Sequence, residues 1–590
     1  MTIEEIGSRR TGASAATGGR RRAAGRLGRA ADELVADLVA RPWGRSSASV
    51  YETGRLVALA PWLTGHAKRL RFLLAGQRAD GGWGPPHPGY ALVPTLSAAE
   101  ALLSALCGGR PWPDGVGRAE TARAAGRALD ALASVLDGGL RDVPDMPAVE
   151  HITPALIESI NGHLDRLPPD VPPGLARWAG RRLAPPAGMD GAFLAALRSH
   201  LVDGGNVPTK LLHALEIAGP AARRARSVVP EPLDGPGAAN LADGAGAPPF
   251  AMVGASAAAT AAWLGPDEPG TTGEEGAVRR YLEAAVAEHD GPVQVAVPVT
   301  NFERGWVLGW LARAGLAPEA PAGLLAELRA SLGEHGAPGG TGLPPDADSS
   351  SGVLYALAVL GAPHPPDLLW EYETETHFSS WPGENGRSVT TNAHVLEAFG
   401  QYRASTGSDP SGRYSATIRK VASWLVEQQF ADGRWEDRWH ASPLYATACT
   451  AMALDAFGGP ESSGAVARAV RWTIGAQRPD GSWGRWGGSA EETAYALQIL
   501  ALVRTDGAGT LQDAPGGAGG VAGAVARGAA YLRTATGAWW NETGDGFAEA
   551  PSGLPTLWHD KDLYNPITIV RAAVVGALHL AGDGRAASAG

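Results

Sequence analysis

The sequence predicts an all-α protein built from helix hairpins, and three observations carry that prediction. Apolar residues recur at spacings of three and four, strand-like alternation is scarce, and the 80 glycines and 45 prolines cluster between the helical patterns. Glycine and proline there stop one helix and turn the chain into the next. At 590 residues, 44% hydrophobic and 19% charged, the chain can bury large cores and has an ordinary globular composition. Its formal charge of −11 disfavours a nucleic-acid partner, because a polyanion needs a basic face and none is visible outside the N-terminal arm.

Taken in order, residues 1–29 read as a disordered, cytoplasmic arm. It carries Arg9-Arg10 and Arg20-Arg21-Arg22, but no apolar segment follows and Glu4 and Glu5 break the basic run, which argues against an export signal. The periodic stretch Ala30–Val39 opens a first domain, residues 30–294, which continues through Leu96–Leu103 and Tyr281–Val286. Gly219–Pro249 and Gly265–Glu275 are Gly/Pro/Ala-rich surface loops. A fresh series of hairpins begins near residue 295, so residues 295–590 form a second domain containing Val353–Leu360, Tyr495–Leu502 and a third loop at Gly507–Gly523. Cys107 and Cys449 each lie inside an apolar helical pattern and read as buried small side chains, which excludes a disulfide framework or cysteine zinc site. No uncharged apolar run reaches the roughly 18 residues expected of a membrane span.

One unit repeats, Gln-x-x-Asp-Gly-x-Trp, at Gln77–Trp83, Gln429–Trp435 and Gln477–Trp483, the last two starting 48 positions apart. That interval suits two antiparallel helices and their turns. Asp-Gly supplies a tight turn, the amide both donors and an acceptor, and the indole a large face with one N–H. The units therefore tie hairpins together and are assigned no catalysis.

A further segment invites a chemical reading. Asp346-Ala-Asp348-Ser349 directly precedes the apolar helix pattern Val353–Leu360. An acid that hands a proton to carbon must arrive protonated, and an apolar surround favours the neutral form, whereas a helix N-terminus favours the anion. The residues alone leave open that Asp346 or Asp348 simply caps the helix.

The three repeats resemble the QW motifs of the squalene-hopene cyclase and class II terpene cyclase superfamily. Gly89–Ser97, Pro147–Glu150, Lys210–Glu216, Phe302–Arg304, Asp437–Pro443 and Leu557–Tyr564 are similar to segments of bacterial class II diterpene cyclases, so the resemblance runs from about residue 70 to 575. It implies two α/α barrels, the γ and β domains, with a hydrophobic cavity between them. It also implies that Asp348 matches the middle residue of the family's Asp-x-Asp-Asp motif, the general acid that protonates an alkene. Asp346 matches the first position, and Ser349 replaces the last carboxylate, removing one like charge while offering a hydrogen bond to orient the acid. Ser388 and Asn392 resemble the polar pair that holds the acid in plant copalyl diphosphate synthases and lie one helical turn apart.

By the same resemblance Lys210, Arg387 and Lys561 are expected to clamp a diphosphate, with Glu150 helping to hold Mg²⁺. Trp306, Trp381, Trp439 and Tyr445 are expected to line the cavity, where aromatic faces stabilise carbocations without a lone pair to trap them. Ordinary core packing is the alternative for each ring. His440 is placed near the base or water that ends the reaction. Class I chemistry is disfavoured: the chain has no Asp-Asp pair, and Asn541–Glu549 imitates the second class I metal motif with Asp545 where the hydroxyl belongs.

The expected activity is cyclisation of geranylgeranyl diphosphate, an isomerase or intramolecular lyase reaction, to a copalyl-like or halimadienyl-like diphosphate. Farnesyl diphosphate giving a drimenyl-type diphosphate is the alternative substrate, and a non-catalytic α/α toroid the alternative of another class. Squalene is disfavoured because the three cations would have no anion to bind and no apolar membrane-docking helix is visible.

Overall fold

The computed structural model describes residues 25–583 except 141, 168–172, 226–230, 233–249, 317–319, 385, 504–516, 542–546 and 549–553. The basic pairs of the arm, most of the loops at 219–249 and 507–523, and Asp545 lie outside the described residues.

Helix packing among the described residues closes two rings. In the first, α2 (Val50–Leu59), α3 (Pro88–Cys107), α4 (Val149–Leu164), the 3-10 segment Leu215–Arg224 and α5 (Ala257–Leu264) each pack on the next, and α5 returns to α2. In the second, α6 (Thr300–Arg313), α7 (Ala347–Val359), α8 (Val389–Thr406), α9 (Pro443–Phe457), α10 (Ala490–Leu502) and α11 (Ile567–Asp583) do the same, with α11 against α6. These inner helices are apolar on nearly every side, as a helix enclosed by others must be. Outer helices such as Arg413–Glu427 are amphipathic, burying Tyr414, Thr417, Val421, Trp424 and Leu425 on one face. This is the expected pair of α/α barrels.

Strand structure is slight. β1 (Glu231–Pro232) pairs with β2 (Ala251–Met252), and β3 (Trp558–His559) with β4 (Leu563–Tyr564), both antiparallel. Helix α3 is long and apolar enough to cross a membrane, with mean hydropathy 1.4, yet 83% of that stretch is buried inside the protein. Its one charge, Glu100, is bonded by Arg55 and His163.

One expectation changes. The sequence pattern assigns residue 30 onward to the first domain and leaves 26–29 in the arm, but α1 (Arg26–Ala40) buries Ala30, Ala31, Leu34, Val35 and Leu38 in the second core, against α6 and α11. It fills the outer position between the last and first helices of that ring. Sequence proximity misleads because both neighbours of α1 lie hundreds of residues away.

The repeated units make one stitch three times. Trp83, Trp435 and Trp483 are fully buried, and their indole N–H groups donate to Leu73 O, Leu425 O and Thr473 O at 2.7, 2.8 and 2.7 Å. Each Gln amide donates to the carbonyl of its own turn glycine and to an alanine of the next outer helix. The turn needs glycine: Gly433 has φ +103 and a Cβ there would meet Arg468 O at 2.5 Å.

Candidate active site

Asp346 caps α7. Its backbone is extended (φ −143, ψ 159), and its carboxylate accepts the Ser349 N–H at 2.7 Å, satisfying one free donor of the first turn. The Ala347 N–H is taken by Ser380 O at 3.0 Å, which ties the motif to the segment leading into α8. Burial, and then the charge of Asp348, push the Asp346 carboxyl up to about 7, against the N–H and hydroxyl of Ser349, which favour its anion. Ser349 thus serves Asp346; its expected service to Asp348 is not what the geometry provides.

Asp348 stands in the first turn of α7 with its side chain 19% exposed, and its Oδ1 lies 2.8 Å from His394 Nδ1. Burial works against a charged His394, but the Asp348 carboxylate and its hydrogen bond outweigh this and raise the imidazole well above its usual value. His394 belongs to α8, adjacent to α7 in the ring, so one helix contact brings the pair together.

The partners expected at Ser388 and Asn392 do other work. Ser388 caps α8, accepting Thr391 N–H at 3.0 Å and donating to Asp437 at 2.9 Å. Asn392 Oδ1 accepts Phe378 N–H at 2.9 Å, and its amide donates to Phe378 O and Ser388 O. Both are buried supports of α8. The four-residue interval that singles them out recurs at Thr390 and His394, and two residues of α-helix rotate a side chain by about 200°. The sequence signal for His394 is a lone imidazole inside the apolar run Ala393-His394-Val395.

From His394 an aromatic wall extends. The Trp306 ring meets the imidazole edge-on at 5.0 Å and donates its N–H to Tyr445 Oη at 2.7 Å. Phe302 contacts Trp306 and Trp558, and Tyr445 packs on Trp558 at 4.6 Å and on His440 at 4.7 Å. Trp306 and Tyr445 therefore lie where the sequence expects liners. His440 is fully enclosed: Nδ1 takes the Ser442 N–H at 3.0 Å and Nε2 faces Glu491 at 3.1 Å, so neither nitrogen is open to a substrate.

A second cluster holds cations. Lys210 Nζ lies 3.3 Å from Glu384 and 4.2 Å above the Trp381 ring, and Arg438 Nη1 reaches the same Glu384 oxygen at 2.8 Å. Arg438 also sits 5.0 Å from the Trp439 ring, which meets Trp381 edge-on at 5.6 Å. The buried indole nitrogens of Trp381 and Trp439 have no acceptor among the described residues. Trp381 follows Ser380, the residue bonded to the acid motif, so the cluster lies at the border of the acid site. Arg438 and Glu384 are members that the sequence reasoning missed.

Two expected cations lie elsewhere. Lys561 is completely buried at the tip of the β3–β4 hairpin, bonded to Glu52, to Glu216 at 3.1 Å, to Ser256 Oγ at 2.8 Å and to His213 O at 2.8 Å. Its donors are spent, so it cannot hold a diphosphate; it joins the two rings. Arg387 is exposed at the approach to α8, near His377, which burial and then the Arg387 charge push below its usual value. The expected metal residue, Glu150, starts α4 with its side chain 55% exposed and His151 at 3.5 Å. Among the described residues no group of three His, Cys, Asp or Glu could hold a metal. One accessible carboxylate suits only an ion whose other ligands are phosphate oxygens and water.

With this geometry established, the comparisons with known proteins gain meaning. Residues 385–557 match the family model of the squalene-hopene cyclase C-terminal domain. The chain is 39% identical over 553 residues to an ent-copalyl diphosphate synthase of Streptomyces sp. (strain KO-3988), covering 93% of this chain and 95% of that one. It is 38% identical to a labda-7,13-dienyl diphosphate synthase of Streptomyces clavuligerus, covering 93% and 92%. The solved ent-copalyl diphosphate synthase from Streptomyces platensis superposes with a TM-score of 0.82 at 41% identity, covering 94% of this chain and 99% of that one.

Proposed function

Because the chain belongs to the class II terpene cyclases, we propose that it cyclises geranylgeranyl diphosphate to a bicyclic diphosphate of copalyl type and retains the diphosphate. The single observation that carries this reading is the Asp348–His394 pair at the edge of an aromatic wall. His394 Nδ1–H donates to Asp348 Oδ1 and holds the carboxyl group in place, and Oδ2 carries the proton to be transferred. The proton passes from Oδ2 to the terminal alkene carbon and leaves a tertiary cation. Internal alkenes close two rings on it in turn, and loss of one proton to a base or water regenerates an alkene. Substrate and product have the same mass, so this is an isomerisation.

Lys210 and Arg438, with the indole N–H groups of Trp381 and Trp439, supply donors for the diphosphate, displacing the Glu384 carboxylate that the two cations share. Glu150 would supply one carboxylate oxygen to a Mg²⁺ ion, which would neutralise phosphate charge when bound. The full-length likeness to copalyl and labdadienyl diphosphate synthases favours this substrate over farnesyl diphosphate and favours catalysis over a silent toroid.

Purified protein incubated with geranylgeranyl diphosphate and Mg²⁺ should yield, after dephosphorylation, a bicyclic alcohol by mass spectrometry and no inorganic pyrophosphate. Asp348→Asn should lower the rate about 10²–10⁴-fold. Release of pyrophosphate, or full activity in that variant, would overturn the reading.

A further inference from the structure

Behind the aromatic wall lies a carboxylate that the mechanism above leaves unused. Glu491, 2% exposed in the first turn of α10, receives three donors on one oxygen: Trp558 Nε1 at 2.7 Å, His440 Nε2 at 3.1 Å and Tyr495 Oη at 3.1 Å. His440 Nδ1 lies against Ser442, 3.0 Å from its N–H and 3.3 Å from its carbonyl oxygen, which fixes the ring so that Nε2–H points at Glu491. Among the described residues no Lys or Arg lies within ion-pair distance of this carboxylate. A carboxylate enclosed with no Lys or Arg beside it is well placed to act on a positive charge that arrives nearby, because the interior screens charges weakly.

The position of the charge suggests its use. Its donors are the rings that continue the wall from the acid, through Trp306 and Tyr445 to Trp558. Tyr564, next to Trp558 in the hairpin ladder, is raised by burial and then by the charges of Asp560, Glu491 and Asp348, so both Glu491 and Asp348 act on the same ring. A hydrogen bond from an indole or phenol to a carboxylate shifts electron density into the ring. A more electron-rich ring face holds a cation more strongly.

We propose that Glu491 is a charge-placing residue for cyclisation, polarising Trp558, Tyr495 and His440 so that the wall stabilises the carbocation once the proton has left Asp348. This rests on the proposed cyclase activity and adds a determinant of rate and product. The positive charge it acts on is that of the substrate itself, present only between protonation and deprotonation. Glu491 touches none of the reacting atoms and acts through the rings.

The test separates charge from shape. Inhibition constants are measured for a tertiary-ammonium analogue of geranylgeranyl diphosphate, nitrogen replacing a carbon that becomes cationic, and for its uncharged carbon isostere. Glu491→Gln, isosteric but neutral, should weaken the ammonium analogue about tenfold, about 1.4 kcal/mol, and the carbon isostere less than about twofold. Its kcat should fall at nearly unchanged KM, with more product deprotonated before the second ring closes. Glu491→Asp, charged but shorter, should lose less than Glu491→Gln; a merely structural role predicts the reverse order. Should Glu491→Gln not fold, Trp558→Phe, which keeps a ring and removes its N–H to Glu491, should show the same selective loss for the ammonium analogue. Equal weakening of both analogues sinks the inference while leaving the cyclase reading intact. Failure of the wild-type protein to cyclise geranylgeranyl diphosphate sinks the cyclase reading itself.

Discussion

At His394 one hydrogen bond both orients the neighbouring acid and helps set the pH at which the imidazole gives up its charge. A His394→Gln variant keeps a polar group at the position and cannot carry the charge, so kcat should drop about 10²-fold with KM little changed. Because the folded-state value of His394 is raised, its contribution to stability is complete below the unfolded value of about 6.5 and is lost as pH rises through the folded value. The melting temperature of the wild type should therefore fall on the alkaline side more steeply than that of the variant; parallel curves would contradict this. Much of the site was legible at this scale. Asp346 and Asp348 stand out in the sequence because they form a local motif, and Trp306 and Tyr445 because they fall in segments that resemble the family. His394 and Lys561 could not, since the phase of a helix and the depth of a hairpin tip depend on packing that a short segment does not encode.

The start of α8 shows how an element can be essential to form and idle in chemistry. Asp437 gathers the Ser388 hydroxyl, the Val389 and Thr390 N–H groups and the Thr390 hydroxyl, and the Ser388 oxygen caps Thr391 N–H. Ser388→Ala removes the cap and one bond to Asp437, costing about 1 kcal/mol. Thermal unfolding should register that loss while kcat stays within about twofold; a hundredfold drop in kcat would return Ser388 to the acid's hydrogen-bond network. The repeated Gln-to-Trp stitches were readable because every bond they make begins in a seven-residue window. The β3–β4 hairpin was not, because strands of two residues give no alternation to detect, although they set Trp558 in the wall and Lys561 against the other ring.

Across the whole molecule, the two rings meet on buried charges as well as apolar surface. Lys561 neutralises Glu52 and Glu216, Tyr51 Oη donates to Glu216 at 2.6 Å, and Asp562 takes Ser49 Oγ and Tyr51 N–H. Lys561→Met leaves two enclosed carboxylates without a counter-charge and should cost about 3–5 kcal/mol or more. Denaturant unfolding is the appropriate measure. A stable variant whose only defect was a raised KM for the diphosphate would restore Lys561 to the substrate site. Helix content and the two-ring layout were predictable from periodicity and resemblance, but the membership of α1 in the second ring was not, since no pattern within its fifteen residues names a partner more than 500 positions away. That membership has a temporal consequence. During translation α1 waits for α11, on the order of a minute at ordinary elongation rates, with its apolar stripe unpartnered while an entire ring is synthesised. The second ring is therefore sealed only once α11 has been made, and the nascent chain spends that interval as a natural client for chaperones that shield exposed helices.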